Sequence, residues 1–349
     1  MKSVTNPHVN LSTKSGSKSH TERKTRMKTS VHTTLPTALL ALLVSAGFAQ
    51  QSVTLDFAAM VNDQEVECGV MYEGVGAEGS TIEFQDMRFY ISDVRLISAD
   101  GEEVALELEP NQWQHQNVAL LDFEDGTARC AQSGNEATNS SVMGSVSEGD
   151  YTGVVFALGV PFDLNHADVA NAPTPLNISS MWWSWQGGYK HARIDLMSHS
   201  DMTSAAMNMQ DSSGESAEGH GEGGEHAQGG QEGGHSGHGG AAQAGLWPIH
   251  IGSTGCDSSA SVIAPATPCA NPNVTDIRLE NIDLEDTIIA DVNGLLDGVD
   301  VSQSLETAPP GCMSGPEDPD CDALFSNLSL AADVNTQTFF RVEGRSASQ

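Results

Sequence analysis

Four short stretches carry residue types that could ligate a metal. They are Trp113-Gln114-His115, Leu164-Asn165-His166-Ala167-Asp168, Gly188-Tyr189-Lys190-His191 and Pro248-Ile249-His250-Ile251-Gly252. Neutral imidazole suits copper, zinc, iron or nickel, and a second partner on the other ring nitrogen must fix its tautomer. Residues i and i+2 of a strand project from one face, so Trp113 and His115 are expected to point at one place. Asp168, two residues after His166, is a candidate tautomer-fixing acceptor. Taken singly, each histidine reads as readily as a core or surface residue. A Trp-x-His triplet is common by chance, and tryptophans more often pack than react. No separate acid/base pair stands out.

The elements that must position these residues read as strands. Val53–Val61 reads as a first strand ending at Asn62-Asp63, and Thr81–Ile97 alternates apolar and polar residues over much of its length. Gly153–Val160 is an apolar run closed by Pro161, and Arg193–Met197, Trp247–Gly252 and Val274–Leu279 follow the same pattern between turn residues. Short helices are expected near Asp286–Leu296 and Asp320–Ser326. The expected fold is mainly β: an antiparallel, β-sandwich-like single domain over 50–349 with long loops. Residues 198–245 break that pattern. They are mostly Gly, Ser, Glu, Gln, Ala and His, lack a large apolar group after Met209, and are expected to be a disordered insertion. Their His199, His220, His226, His235 and His238, with Met202, Met207 and Met209, form either a solvated linker or a loop that gathers metal.

The chain has 349 residues, 47 acidic against 15 basic, for a net charge of −32. Such a surface repels phosphate, which argues against nucleic-acid binding. Residues 1–49 hold seven of the basic residues and one acid, Glu22, so the remainder carries 46 acids and 8 bases, a net of −38. A basic stretch ending at Lys28, the apolar run Leu35–Val44 and the small residues Ser45–Ala49 make residues 1–49 a secretory signal cut near Ala49. The apolar run is too short to span a bilayer. The chain is therefore expected in the periplasm or at the cell surface of a Gram-negative bacterium, without a membrane span. Export makes disulfides the expected state of the six cysteines. Several connectivities are open. Short separations favour Cys312–Cys321 and Cys256–Cys269, which leaves Cys68–Cys130. The spacings are not C-x-x-C, so zinc is the lesser reading. Asp122, Glu124 and Asp125 before Gly126 could offer oxygens to calcium, against a solvated acidic turn as the plainer expectation.

Five blocks then occur in order: Asn117–Gly126; Leu158–Phe162 with Asn165-His166; Met181-Trp182-Trp183-Ser184-Trp185-Gln186-Gly187-Gly188-Tyr189-Lys190; His250–Cys256; and Pro310–Ser314. With Phe89–Val94 they resemble the metallo-mystery pair four-Cys-motif proteins, an MbnP-like copper-binding family related to CorA and MopE, over about residues 53–341. The resemblance implies a β-rich exported protein that binds copper; one ion is expected, and a neutral nitrogen site would favour it as Cu(I). The resemblance also implies a tryptophan oxidised to kynurenine that joins histidines at the metal, and a di-haem partner of the MauG/cytochrome c peroxidase type that performs the oxidation. Carried onto this sequence, Trp113 is the modified residue, His115 its neighbouring ligand, and His166 and His250 further ligands. His191 stands where the family is expected to carry an aromatic residue. The implied role is copper storage, scavenging or delivery rather than catalysis. A copper-dependent redox enzyme and an acidic extracellular interaction module without metal are the alternatives.

Overall fold

Alternation becomes strand wherever every second side chain reaches a core. β1 (Gln50–Val61) buries Val53, Leu55, Phe57, Ala59 and Val61, leaves Thr54 and Asp56 exposed, and half-buries Ala58 and Met60 between them. The computed structural model describes residues 49–199, 245–304, 309–331 and 336–343. The expected signal, apart from Ala49, and most of the expected His/Gly insertion lie outside the described residues, as do His220, His226, His235 and His238.

After β1, the strands are β2 (Gln64–Glu65), β3 (Met71–Val75), β4 (Ser80–Ser98), β5 (Glu103–Ala105), β6 (Glu107–Leu108), β7 (Gln114–His115) and β8 (Val118–Asp122). Then follow β9 (Ser141–Ser147), β10 (Tyr151–Leu158), β11 (Trp182–Ser184), β12 (Gly188–Ser198), β13 (Leu246–Gly252), β14 (Thr275–Glu280), β15 (Ile288–Asp291) and β16 (Phe340–Val342). They form two sheets in a mainly β, sandwich-like arrangement. The smaller runs β16-β15-β1-β9-β6, with β2 beside β1. The larger is built on β4, which pairs with β12 and β10 along one side and with β3, β8 and β5 along the other. β13 extends it beyond β12, and β7 extends it beyond β8. Pairing is antiparallel except between β1 and β15.

The expected helix over Asp286–Leu296 is corrected. Ile288-Ile289-Ala290 lies in β15 beside β1, where the run is buried, and only Val292–Leu295 is helical. Asp291 makes the switch, because its carboxylate accepts the N–H groups of Asn293 and Gly294 as an N-cap. The expected helix over Asp320–Ser326 appears as Asp322–Asn327. The three disulfides are Cys68–Cys130, Cys256–Cys269 and Cys312–Cys321. Among the described residues no helix is long and apolar enough to cross a membrane.

β4 is buried on both faces. One face sends Phe84, Met87, Phe89, Ile91, Val94 and Leu96 into the main core, where Phe89 meets Phe123, Phe339 and Phe340. The other face carries Asp86, Arg88, Tyr90 and Ser92, none more than 1% exposed. Directly paired residues share a face, so the register extends this set sideways: Arg88 lies opposite Asp122 and Arg193, and Arg193 opposite His250. Arg88 binds Asp86 through two nitrogens and lies 3.6 Å from Glu124. Arg193 bridges Asp86 at 3.1 Å and Asp195 at 2.7 Å. Burial would strip the Arg88 charge, but Asp86, Asp122 and Glu124 hold it protonated.

The plainer expectation of a solvated acidic turn is therefore corrected at Asp122 and Glu124, which are buried beside Arg88. Asp125 alone is exposed there. Burial pushes the Asp122 carboxyl up to about 7 despite Arg88. Glu124 accepts the N–H groups of Gly126 and Asn135, so its oxygens are already engaged and offer calcium little.

Arg88→Met would leave Asp86 and Glu124 without their main counter-charge in a dry site. The expected cost is about 3–5 kcal/mol. It would be read as a lower denaturant midpoint at neutral pH, and an unchanged midpoint would refute the role given to Arg88.

Candidate metal centre

Trp113 and His115 are positioned by the residue between them. Gln114 is buried, donates to Glu109 O and Met143 O, and accepts the Met143 N–H at 2.8 Å. It ties the β7–β8 hairpin to β9 of the other sheet. Alternation then turns Trp113 and His115 the other way. His115 pairs with Val118, whose side chain lies in a second apolar cluster with Tyr90, Leu120, Val160, Leu176, Met181 and Tyr189. Trp113 packs on that cluster too. The hairpin closes through Gln116 at φ +53° and Asn117, and the Gln116 amide lies 3.0 Å from His115 Nε2.

His166 approaches the same cluster from the loop after a short helix, Phe162–Asn165, and its neighbours Leu164 and Ala167 pack there with Trp113. Its ring is buried. Nδ1 lies 3.1 Å from Trp185 O, a contact that fixes the proton on Nδ1 and leaves the Nε2 lone pair free to accept. Burial lowers its pKa, so the ring is neutral, as a ligand must be. The tautomer-fixing acceptor is this carbonyl and not Asp168, whose carboxylate accepts from Ala170 and Asn171. Asn165 holds the loop down: it accepts the Tyr189 N–H at 2.9 Å and donates to Ser253 at 3.1 Å. Gly188 permits this approach, since at φ +76° any side chain there would strike Asn165.

His191 is different. Its Nδ1 accepts the Val160 N–H at 3.1 Å, and its Nε2–H donates to Pro272 O at 3.0 Å. Both nitrogens are spent, which makes His191 a structural histidine. His250 belongs to the buried charge network. Its Nε2 lies 2.8 Å from Asp195 Oδ1. Burial opposes charge on Asp195, but His250 and Arg193 outweigh it and hold the carboxyl below its ordinary range. Burial also pulls Lys190 down to about 8, and its Nζ donates to Ser180 O at 2.7 Å.

The structure thus brings Trp113 and the His166 loop to one cluster, sets His115 opposite Val118 of that cluster, and separates His250 from His115. From β13 to β7 the path crosses β12, β4 and β8, four inter-strand steps of ~4.8 Å, or roughly 19 Å. One ion with bonds of ~2 Å cannot bridge that span. Among the described residues, the groups of three His, Cys, Asp or Glu donors that converge within 4.8 Å are His166–Cys256–Cys269 and Cys68–Glu124–Cys130. His115, His166 and His250 do not form such a group.

Sequence reasoning passed over the tryptophans next to His166. Trp182 and Trp185 meet edge to face at 6.1 Å, and Trp182 Nε1 is buried without a hydrogen-bond partner. The signal was present in Met181-Trp182-Trp183-Ser184-Trp185, but three tryptophans in one block read first as packing.

The sequence profile of the MbnP family matches residues 50–314. The chain belongs to the MbnP family. MbnP from Methylosinus trichosporium has a similar solved structure, at TM-score 0.62 and 25% identity over 84% of this chain and 98% of that one. No curated protein matches this chain. The family match contains Trp113, His115, His166, His250, the tryptophan block and all five sequence blocks, and it ends at 314 where the resemblance was expected to run to about 341.

Burial lowers the pKa of His191 to about 4. The unfolded chain titrates near 6.5, so it takes up this proton first as pH falls. The contribution of His191 to stability is full above that value and is lost between there and about 4, by about 3 kcal/mol in all. Unfolding curves across this window should show a shallower pH slope for His191→Gln than for the wild type. Parallel slopes would contradict the assignment.

Proposed function

We propose that this protein is an exported copper-binding protein of the periplasm or cell surface, not an enzyme. It would hold one copper ion, as Cu(I), and store, scavenge or deliver it. The observation that carries this reading is membership of the MbnP family across residues 50–314. The donor chemistry fits. His115 and His166 offer imidazole nitrogen, and His166 is buried, neutral and fixed in tautomer by a backbone carbonyl. Opening the Trp113 indole to kynurenine would add a ketone and a neutral aromatic amine. Neutral nitrogen donors in low number suit Cu(I) and offer little to calcium, which wants oxygen. His250, bound to Asp195 and four strands from β7, is left to the charge network.

A di-haem protein of the MauG/cytochrome c peroxidase type would oxidise the tryptophan, and the acidic surface would speed its encounter with a basic face. A second position for the oxidation is favoured by one contact. Trp185 supplies the carbonyl that orients His166 and packs on Trp182, so this pair is the alternative to Trp113.

Co-expression with a di-haem partner, followed by metal analysis and peptide mass mapping, tests both points. The expected result is one copper per chain and the kynurenine mass shift on the Trp113 peptide. A shift on the Trp182–Trp185 peptide would move the modified residue. A protein that gains neither copper nor mass defeats the proposal. His115→Ala should weaken copper binding by roughly tenfold or more. His250→Ala should leave it unchanged.

A further inference from the structure

The second group of interest involves a cross-link that the copper reading does not use. Cys269 Sγ lies 3.7 Å from His166 Nε2, and one donor atom each from His166, Cys256 and Cys269 fall within 4.8 Å of one another. The sulfurs are joined in a disulfide, so the oxidised chain has no thiolate to offer. We propose that reduction of Cys256–Cys269 opens a Cys2His site for a thiophilic divalent cation of the zinc class.

The dimensions fit without rearranging the backbone. Zn–S of ~2.3 Å and Zn–N of ~2.0 Å at a tetrahedral angle place sulfur and nitrogen ~3.5 Å apart. The Cys269–His166 separation already matches. The two sulfurs must part to ~3.8 Å, which side-chain rotation supplies. Their backbones are held by more than the cross-link. Thr254 and Asn271 exchange N–H···O bonds of 2.8 and 3.0 Å, and Ala270 N–H donates to Gly255 O at 3.1 Å. Gln186 donates to Cys256 O at 3.1 Å. This narrow neck keeps the thiols side by side after the bond is broken.

His166 is aimed by separate anchors. Trp185 O holds Nδ1, and the neighbouring Asn165 amide, 3.4 Å from Nε2, makes its closer bond to Ser253. The Nε2 lone pair therefore faces the sulfur.

The charges and electrons balance. A dithiol reductant attacks the half-buried Cys256 sulfur, then closes on itself and leaves. The protein disulfide gains two electrons and two protons, and the dithiol becomes a disulfide. Cation binding releases both thiol protons. Two thiolates and a neutral imidazole around a divalent ion give a neutral site, which a largely buried position requires. The fourth position stays open.

This site shares His166 with the copper reading, but it exists only in the reduced chain, and its two thiolates have no part in copper binding by the oxidised one. The test is to reduce the mature protein with dithiothreitol, remove the reductant without air and titrate with Cd2+. The expected result is a thiolate-to-cadmium ultraviolet band that saturates at one ion in this site. The band should be lost in Cys256→Ser/Cys269→Ser, and the affinity should fall at least roughly tenfold in His166→Ala. Alkylation mapping of the wild type needs no variant, and Cd2+ should protect Cys256 and Cys269 from iodoacetamide. Unprotected cysteines, a band that survives in the double variant, or unchanged affinity in His166→Ala would each overturn the proposal. Copper binding by the oxidised protein is read separately, so either claim can fall while the other stands.

Discussion

The structure depends on burying β4 on both sides. One face makes the main core with ordinary apolar side chains. The other carries Asp86 and Arg88, so it can be covered only if those charges are neutralised. Asp122 and Glu124 face Arg88, Arg193 bridges Asp86, and Asp195 pairs with Arg193 in turn; they arrive from β8, its following loop and β12. The loops over that face are held by what the network leaves free. Lys190 reaches Ser180 O, Gln114 ties the β7–β8 hairpin to the other sheet, and Asn165 pins the His166 loop to β12.

That arrangement sorts the histidines by what their second nitrogen does. His191 has both nitrogens engaged and only packs. His250 spends one on Asp195 within the charge network. His166 spends one on a carbonyl and keeps a lone pair beside a disulfide and a tryptophan hairpin. His115 lies opposite Val118 of the apolar cluster. A ligand role follows from a free lone pair in a neutral ring, which favours His166 and leaves His191 out.

Much of the scaffold was legible in the chain. Strand patterning located β1 and β4, and short separations favoured two of the three disulfides, which left Cys68 to Cys130. The Ile288–Asp291 strand was missed because its four residues run straight into a capped helical turn. Asp86 and Arg88 gave no sign of burial, since charges in a strand read as surface until their partners are known. The site was half legible. A Trp-x-His pair on one face follows from the strand period alone. The distance between His115 and His250 does not, because it depends on strand order, and sequence spacing carries no strand order. Tautomers were also out of reach, since a backbone carbonyl such as that of Trp185 leaves no mark on residue type.

In the proposed function, copper sits on the apolar cluster beside Trp113 and the His166 loop, away from the charge network. A crystal of the copper-loaded, partner-treated protein, measured for anomalous scattering at the copper edge, tests it most directly. A single peak is expected within bonding distance of an imidazole of His115 or His166 and of an oxidised tryptophan. A peak on His250, or none in a protein that carries copper, would contradict it.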